Sequence, residues 1–89
     1  MFTNKSRDGN NNVCGPRIAN YRKAMGKSQR ELADALQLMG LDLDKNAVQR
    51  IETGKRLVTD IELTYLIRVL VVSYEDLLEE KAKNKLING

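Results

Sequence analysis

Apolar side chains recur at helical spacing along most of the chain, and polar or conformationally special residues punctuate them. Ile18, Tyr21 or Arg22, and Met25 make a first stripe. Leu32, Ala33, Leu36 and Met39 make a second, Val48 and Ile51 a third, and Leu63, Leu66, Ile67 and Leu70 a fourth. Leu77 and Leu78 close the series. A period near 3.6 residues places each set on one side of a helix. The punctuation agrees with the stripes. Pro16 suits a first helical turn, where its missing N–H costs nothing, and Gly26 suits a left-handed C-terminal cap. Ser28, with Glu31 three residues on, forms a capping box for a second helix that runs to about Met39 and stops at Gly40. Asp44 caps a third helix over about Lys45 to Thr53, ended by Gly54. Thr59 or Asp60 starts a fourth. Ser73 starts a fifth, with Glu75 and Asp76 near its positive end. The expected fold is all-α: a compact five-helix domain over residues 15–80. Residues 1–14 show no periodic pattern and are expected to form a flexible N-terminal arm; an asparagine-rich arm that touches DNA is the alternative. Residues 81–89 form a basic C-terminal tail. No strand pattern and no internal repeat appears.

Composition narrows the chemistry. The chain has 89 residues, room for one domain. It has one cysteine and no histidine, so an internal disulfide or a Cys/His metal cluster is not expected. No Gly-rich phosphate loop or paired-carboxylate pattern supports an enzyme, and no cofactor is expected. The longest apolar run, Val69 to Val72, is far too short for a bilayer, and the N-terminus has no signal-peptide core. A cytoplasmic protein without a membrane partner is expected.

The net charge is +3, and its layout says more than its size. Residues 17–30 carry five positive charges, residues 31–44 four negative ones; residues 45–56 return to +3 and residues 57–80 fall to −5. This layout fits one face turned to an anionic partner. It also fits a mixed, solvated surface, and charge alone does not choose between them.

The second and third predicted helices, joined by a turn, carry the sharpest signal. The third opens with Lys45, Asn46, Gln49 and Arg50, all hydrogen-bonding side chains. A helix with such a face, braced across a companion, fits the major groove of duplex DNA. Three sequence signs then fall in order: Ser28-Gln29-x-Glu31-Leu32-Ala33, Val48-x-x-Ile51-Glu52-x-Gly54, and Val72-Ser73-x-x-x-Leu77-Leu78. Together they resemble the Xre/Cro-repressor class of helix-turn-helix domains, over Arg17 to about Glu80. In this resemblance Ala33 sits where the second and third helices cross, and Arg22 and Glu52 match a structural ion pair that fixes the angle of the third helix.

The resemblance implies base contacts from Lys45, Asn46, Ala47, Gln49 and Arg50, with the Ala47 methyl meeting a thymine methyl. It implies backbone contacts from Arg17, Lys27, Ser28, Gln29, Arg30, Thr53, Lys55 and Arg56. Phosphate contacts of this kind position a domain without choosing a sequence. One such helix reads only a few base pairs, so specific binding implies a homodimer. Tyr65, Val69, Val71, Val72 and Tyr74 on the fourth and fifth helices form its interface or belong to the core. No small-molecule pocket is expected beyond the five helices.

Two departures from the class pattern stand out. Fourteen residues separate Ala33 from Val48 where the class has nine, so the second helix and its turn are lengthened. Val71 occupies a position usually held by Gly or Asn; a β-branched residue resists φ > 0, so either the fourth helix runs on or the turn differs. The function expected is sequence-specific DNA binding by a transcriptional regulator, most simply a repressor. The alternative is a protein-interaction module, or an antitoxin-like partner-binding protein, on the same scaffold.

Overall fold

A computed structural model describes residues 10–78. Residues 1–9 of the expected arm, the last two residues of the expected domain at 79–80 and the basic tail at 81–89 lie outside the described residues. The fold is all-α: α1 (Gly15–Ala24), α2 (Gln29–Leu38), α3 (Lys45–Glu52), α4 (Asp60–Leu70) and α5 (Tyr74–Leu78), with no strand among the described residues.

Local chemistry starts α2, α3, α4 and α5 where the sequence placed the start. In α2 the Glu31 N–H donates to Ser28 Oγ at 3.0 Å and the Ser28 N–H to Glu31 Oε1 at 2.7 Å. The same reciprocal box caps α4 through Thr59 and Glu62, which settles Thr59 as the cap. It recurs at α5 between Ser73 and Asp76. Asp44 Oδ1 accepts the Ala47 N–H at 2.8 Å and starts α3. Each box satisfies N–H groups that a helix end otherwise leaves without a partner.

The helix ends share one geometry. After α1, α2 and α3 the chain turns on a glycine with positive φ (73° at Gly26, 103° at Gly40, 79° at Gly54). The next residue's N–H then reaches back: Lys27 to Arg22 O, Leu41 to Leu36 O, Lys55 to Arg50 O. This is the Schellman closure. The α4 terminus makes the same closure, from the Val72 N–H to Ile67 O, but the left-handed residue is Val71, with φ 56° and ψ 52°. Neither expected outcome holds: α4 does not run on, and the turn keeps its left-handed form despite the branched side chain.

Ile18, Leu32, Leu36, Val48, Ile51, Leu66 and Leu77 are the large side chains at the centre of the core. α2 packs on α3 and α4, and α1 lies against α3, α4 and α5. In the lengthened connector, Leu43 is buried and Leu41 rests on the core. Gln37 Nε2 donates to Leu43 O at 2.9 Å, latching the connector to α2.

The largest difference from expectation lies at residues 10–14, which are docked rather than free. The Asn11 N–H donates to Gly54 O at 2.7 Å and its side-chain amide to Lys55 O at 3.0 Å. Asn12 Nδ2 donates to Ile51 O at 3.0 Å and Arg56 O at 2.7 Å, while its Oδ1 accepts the Gly15 N–H at 2.8 Å. Cys14 is buried in the core. Asparagine amides thus bind the Ile51 carbonyl near the end of α3 and carbonyls of the loop that follows it.

Candidate nucleic-acid interface

The two sides of α3 differ sharply. Ala47, Val48 and Ile51 face the core; Lys45, Asn46, Gln49 and Arg50 are exposed. The side chains of these four have no hydrogen-bond partner among the described residues. The longer connector does not cover them, because Leu43 and Leu41 turn inward beneath it. Beside this face an open cleft of about 350 Å³ runs between α2 and α3, lined by Arg30, Asp34, Gln37, Asp44, Lys45 and Asn46.

Ala47 corrects the expected contact set. It is 7% exposed and belongs to the core, so its methyl is not offered to a groove. The reason is helix geometry: Ala47 lies four residues before Ile51, on the same inner stripe.

Beneath the exposed face, α3 is held through Glu52. Arg22 Nε meets Glu52 Oε2 at 2.6 Å and Nη2 meets Oε1 at 3.0 Å, a two-pronged fork. The two side chains are 9% and 5% exposed. Arg22 Nη1 also donates to Lys27 O, and Gln29 Nε2 to Glu52 Oε1 at 2.9 Å. The hydrogen bonds to Glu52 raise the Arg22 guanidinium above its ordinary pKa, against the opposing effect of burial. Two elements, α1 and α2, therefore meet on one carboxylate of α3, and the α1–α2 turn is tied to them through Arg22.

The residues named for backbone contact divide into two groups. Arg30 and Lys55 are exposed, and neither side chain has a hydrogen-bond partner among the described residues. Lys27 is half-buried and Ser28 sits in its capping box at the exposed α2 N-terminus. The others are already engaged. Arg17 Nη1 donates to Leu77 O at 2.9 Å, tying α1 to α5. Arg56 grips Glu62 through both terminal nitrogens, each at 2.9 Å, and also donates to Leu57 O. The Thr53 hydroxyl donates to Gln49 O at 3.0 Å, so its proton points into the helix end. The Gly54 N–H is likewise taken by Ile51 O. The Gln29 side chain braces Glu52, which leaves its main-chain amide at the α2 N-terminus as the anion-facing group.

The sequence did not reveal Asn11 and Asn12 as holds on the end of α3. Their one visible signal was a short run of asparagines just before Gly15-Pro16.

The family profile of the helix-turn-helix, HTH_3, matches residues 18–77. The chain belongs to this family of Xre/Cro-type helix-turn-helix domains. No curated protein and no solved structure matches it. HTH_3 domains bind DNA and are typically non-enzymatic. No described helix is long and apolar enough to cross a membrane.

Proposed function

We propose that this HTH_3 domain is a sequence-specific regulator of transcription, most simply a repressor, which lays α3 in the major groove. One observation carries the reading: four hydrogen-bonding side chains, without a hydrogen-bond partner among the described residues, stand on the outer side of a helix whose inner side is locked to the core. Lys45 and Arg50 suit guanine O6 and N7, and Asn46 and Gln49 suit adenine N6 and N7. Arg30, Lys27, Lys55, Ser28 and the α2 N-terminal amides lie to either side as phosphate contacts. Arg17, Arg56 and Thr53 contribute less, since their donors already serve the fold.

The active unit is a homodimer on a two-fold site. Ile61, Val71, Tyr74 and Leu78, on α4, α5 and the turn between them, are exposed apolar residues available to a second copy. Tyr65, Val69 and Val72 pack against the core and contribute only their outer edges. Selection from a random duplex pool tests the proposal. Enrichment of a palindrome with half-sites about one helical turn apart is expected. A folded chain that enriches no sequence, or one whose binding constant ignores salt, overturns it.

A protein-interaction module is the second reading, and one feature favours it. Leu38, the last residue of α2, is 90% exposed, with Met39 next to it at the start of the lengthened connector. Retained fold without duplex selection is the outcome that would move the assignment there.

A further inference from the structure

We infer that the Asn10–Asn12 segment is a positioning element for DNA reading, with Asn12 as its pivotal residue; the inference rests on the proposed function. The Arg22–Glu52 fork grips α3 by a side chain, at one point near its C-terminus. Ala47, Val48 and Ile51 seat its inner side in the core, but they too act through side chains alone. Asn12 supplies a second hold, and it acts on main chain: Nδ2 bridges Ile51 O at 3.0 Å and Arg56 O at 2.7 Å. Its Oδ1 is fixed in turn by the Gly15 N–H at the head of α1. One amide therefore couples three backbone segments: the start of α1, the end of α3 and the loop that follows it.

Close approach reinforces the coupling. A Cβ on Gly15 would collide with Ile51 O, so α1 meets α3 backbone to backbone. A Cβ on Gly54 would strike the Asn10 side chain. Asn11 adds its main-chain bond to Gly54 O and its side-chain bond to Lys55 O. Arg50 stands one residue before Ile51, and Lys55 one before Arg56. The strap thus sets the spacing between a base-reading side chain and a phosphate-reading one. Correct register of both on the same duplex requires that spacing to be fixed. Asn12 itself touches no DNA in this scheme.

The test compares the full-length chain with Asn12→Asp, which keeps the acceptor for Gly15 and removes both N–H donors. Affinity for the selected duplex and for a scrambled duplex, the salt slope of each, and the urea midpoint are measured where both proteins are fully folded. The expected result is a fall of about tenfold in the selected-to-scrambled ratio, the size of one lost base contact; the charge that the new carboxylate adds acts on both duplexes alike and cancels in that ratio. An unchanged ratio, whatever happens to the urea midpoint, overturns the inference and leaves the proposed function standing. A parent chain that selects no duplex overturns both. If Asn12→Asp does not fold, Asn12→Ser, which keeps an acceptor and loses the double amide donor, takes its place: a fallen ratio supports the inference and an unchanged one overturns it.

Discussion

The two halves of this domain solve the same problem, ending and seating a helix, by different means. In the α1–α3 half every helix closes on a glycine, and α3 is seated by a buried ion pair and an asparagine strap. In the α4–α5 half the closing residue is Val71, 81% exposed in a left-handed conformation that its branched side chain disfavours. The ion pair there, Arg56–Glu62, is more open, with side chains 29% and 13% exposed. The first half is relaxed and over-determined, as a reading head must be. The second carries strain and bare apolar surface, which suits a face completed by something else.

Breaking the first half should cost most. Arg22→Ala leaves the Glu52 carboxylate buried with only Gln29 for company and should lower unfolding free energy by about 3–5 kcal/mol. Urea denaturation measures it; a loss under half that range means the pair is better solvated than its burial suggests. Next come the two kinds of DNA contact. Arg50→Ala should cost about 1–3 kcal/mol, concentrated at one base position. Lys55→Ala should weaken all sequences alike and reduce the salt slope by about 0.9. A uniform loss from both would erase the distinction between the outer face of α3 and its flanks.

The second half should respond in the opposite direction. Val71→Gly removes the left-handed penalty of about 1–2 kcal/mol and gives back part of it as unfolded-chain entropy, so a net gain near 1 kcal/mol is expected. If a dimer forms through this face, the same change should weaken self-association in sedimentation, because an exposed valine is lost. Arg56→Gln, at a partly solvated pair, should cost about 0.5–1 kcal/mol.

That pair also sets a pH signature. The Arg56 hydrogen bonds hold the Glu62 carboxyl below its ordinary value, with burial opposing. The main-chain Ser28 N–H does the same for Glu31. An unfolded chain then binds more protons at these sites than the folded one. Their contribution is present above the ordinary carboxylate range and disappears as pH falls through the depressed folded values. Cys14 works in the other sense. Burial raises its thiol, so stability should be lost as pH climbs past the ordinary thiol value. Urea midpoints against pH should therefore fall at both ends, and Arg56→Gln should flatten the acid limb.

What could be read from sequence follows the range of the interaction. The capping residues Ser28, Asp44, Thr59 and Ser73 act on groups three residues away, so their chemistry is visible in a short window. The core stripes are periodic for the same reason. Asn12 bonds to residues 39 and 44 positions distant, and nothing local marks an asparagine for that use. Ala47 was legible and misassigned: its spacing to Ile51 puts it inside, yet its neighbours Asn46 and Gln49 drew attention outward. Val71 shows the limit of local preference. The Val72 N–H bond to Ile67 O and the burial of Leu77 below hold the turn against the residue's own bias.

The docking of Asn10 against Gly54 has a practical corollary for anyone handling the protein. A fusion joined at Met1 sits nine residues ahead of that point, and nine residues even fully extended reach about 30 Å. An affinity tag or fluorescent protein placed there would thus be tethered beside the proposed reading head, where it can crowd an approaching operator.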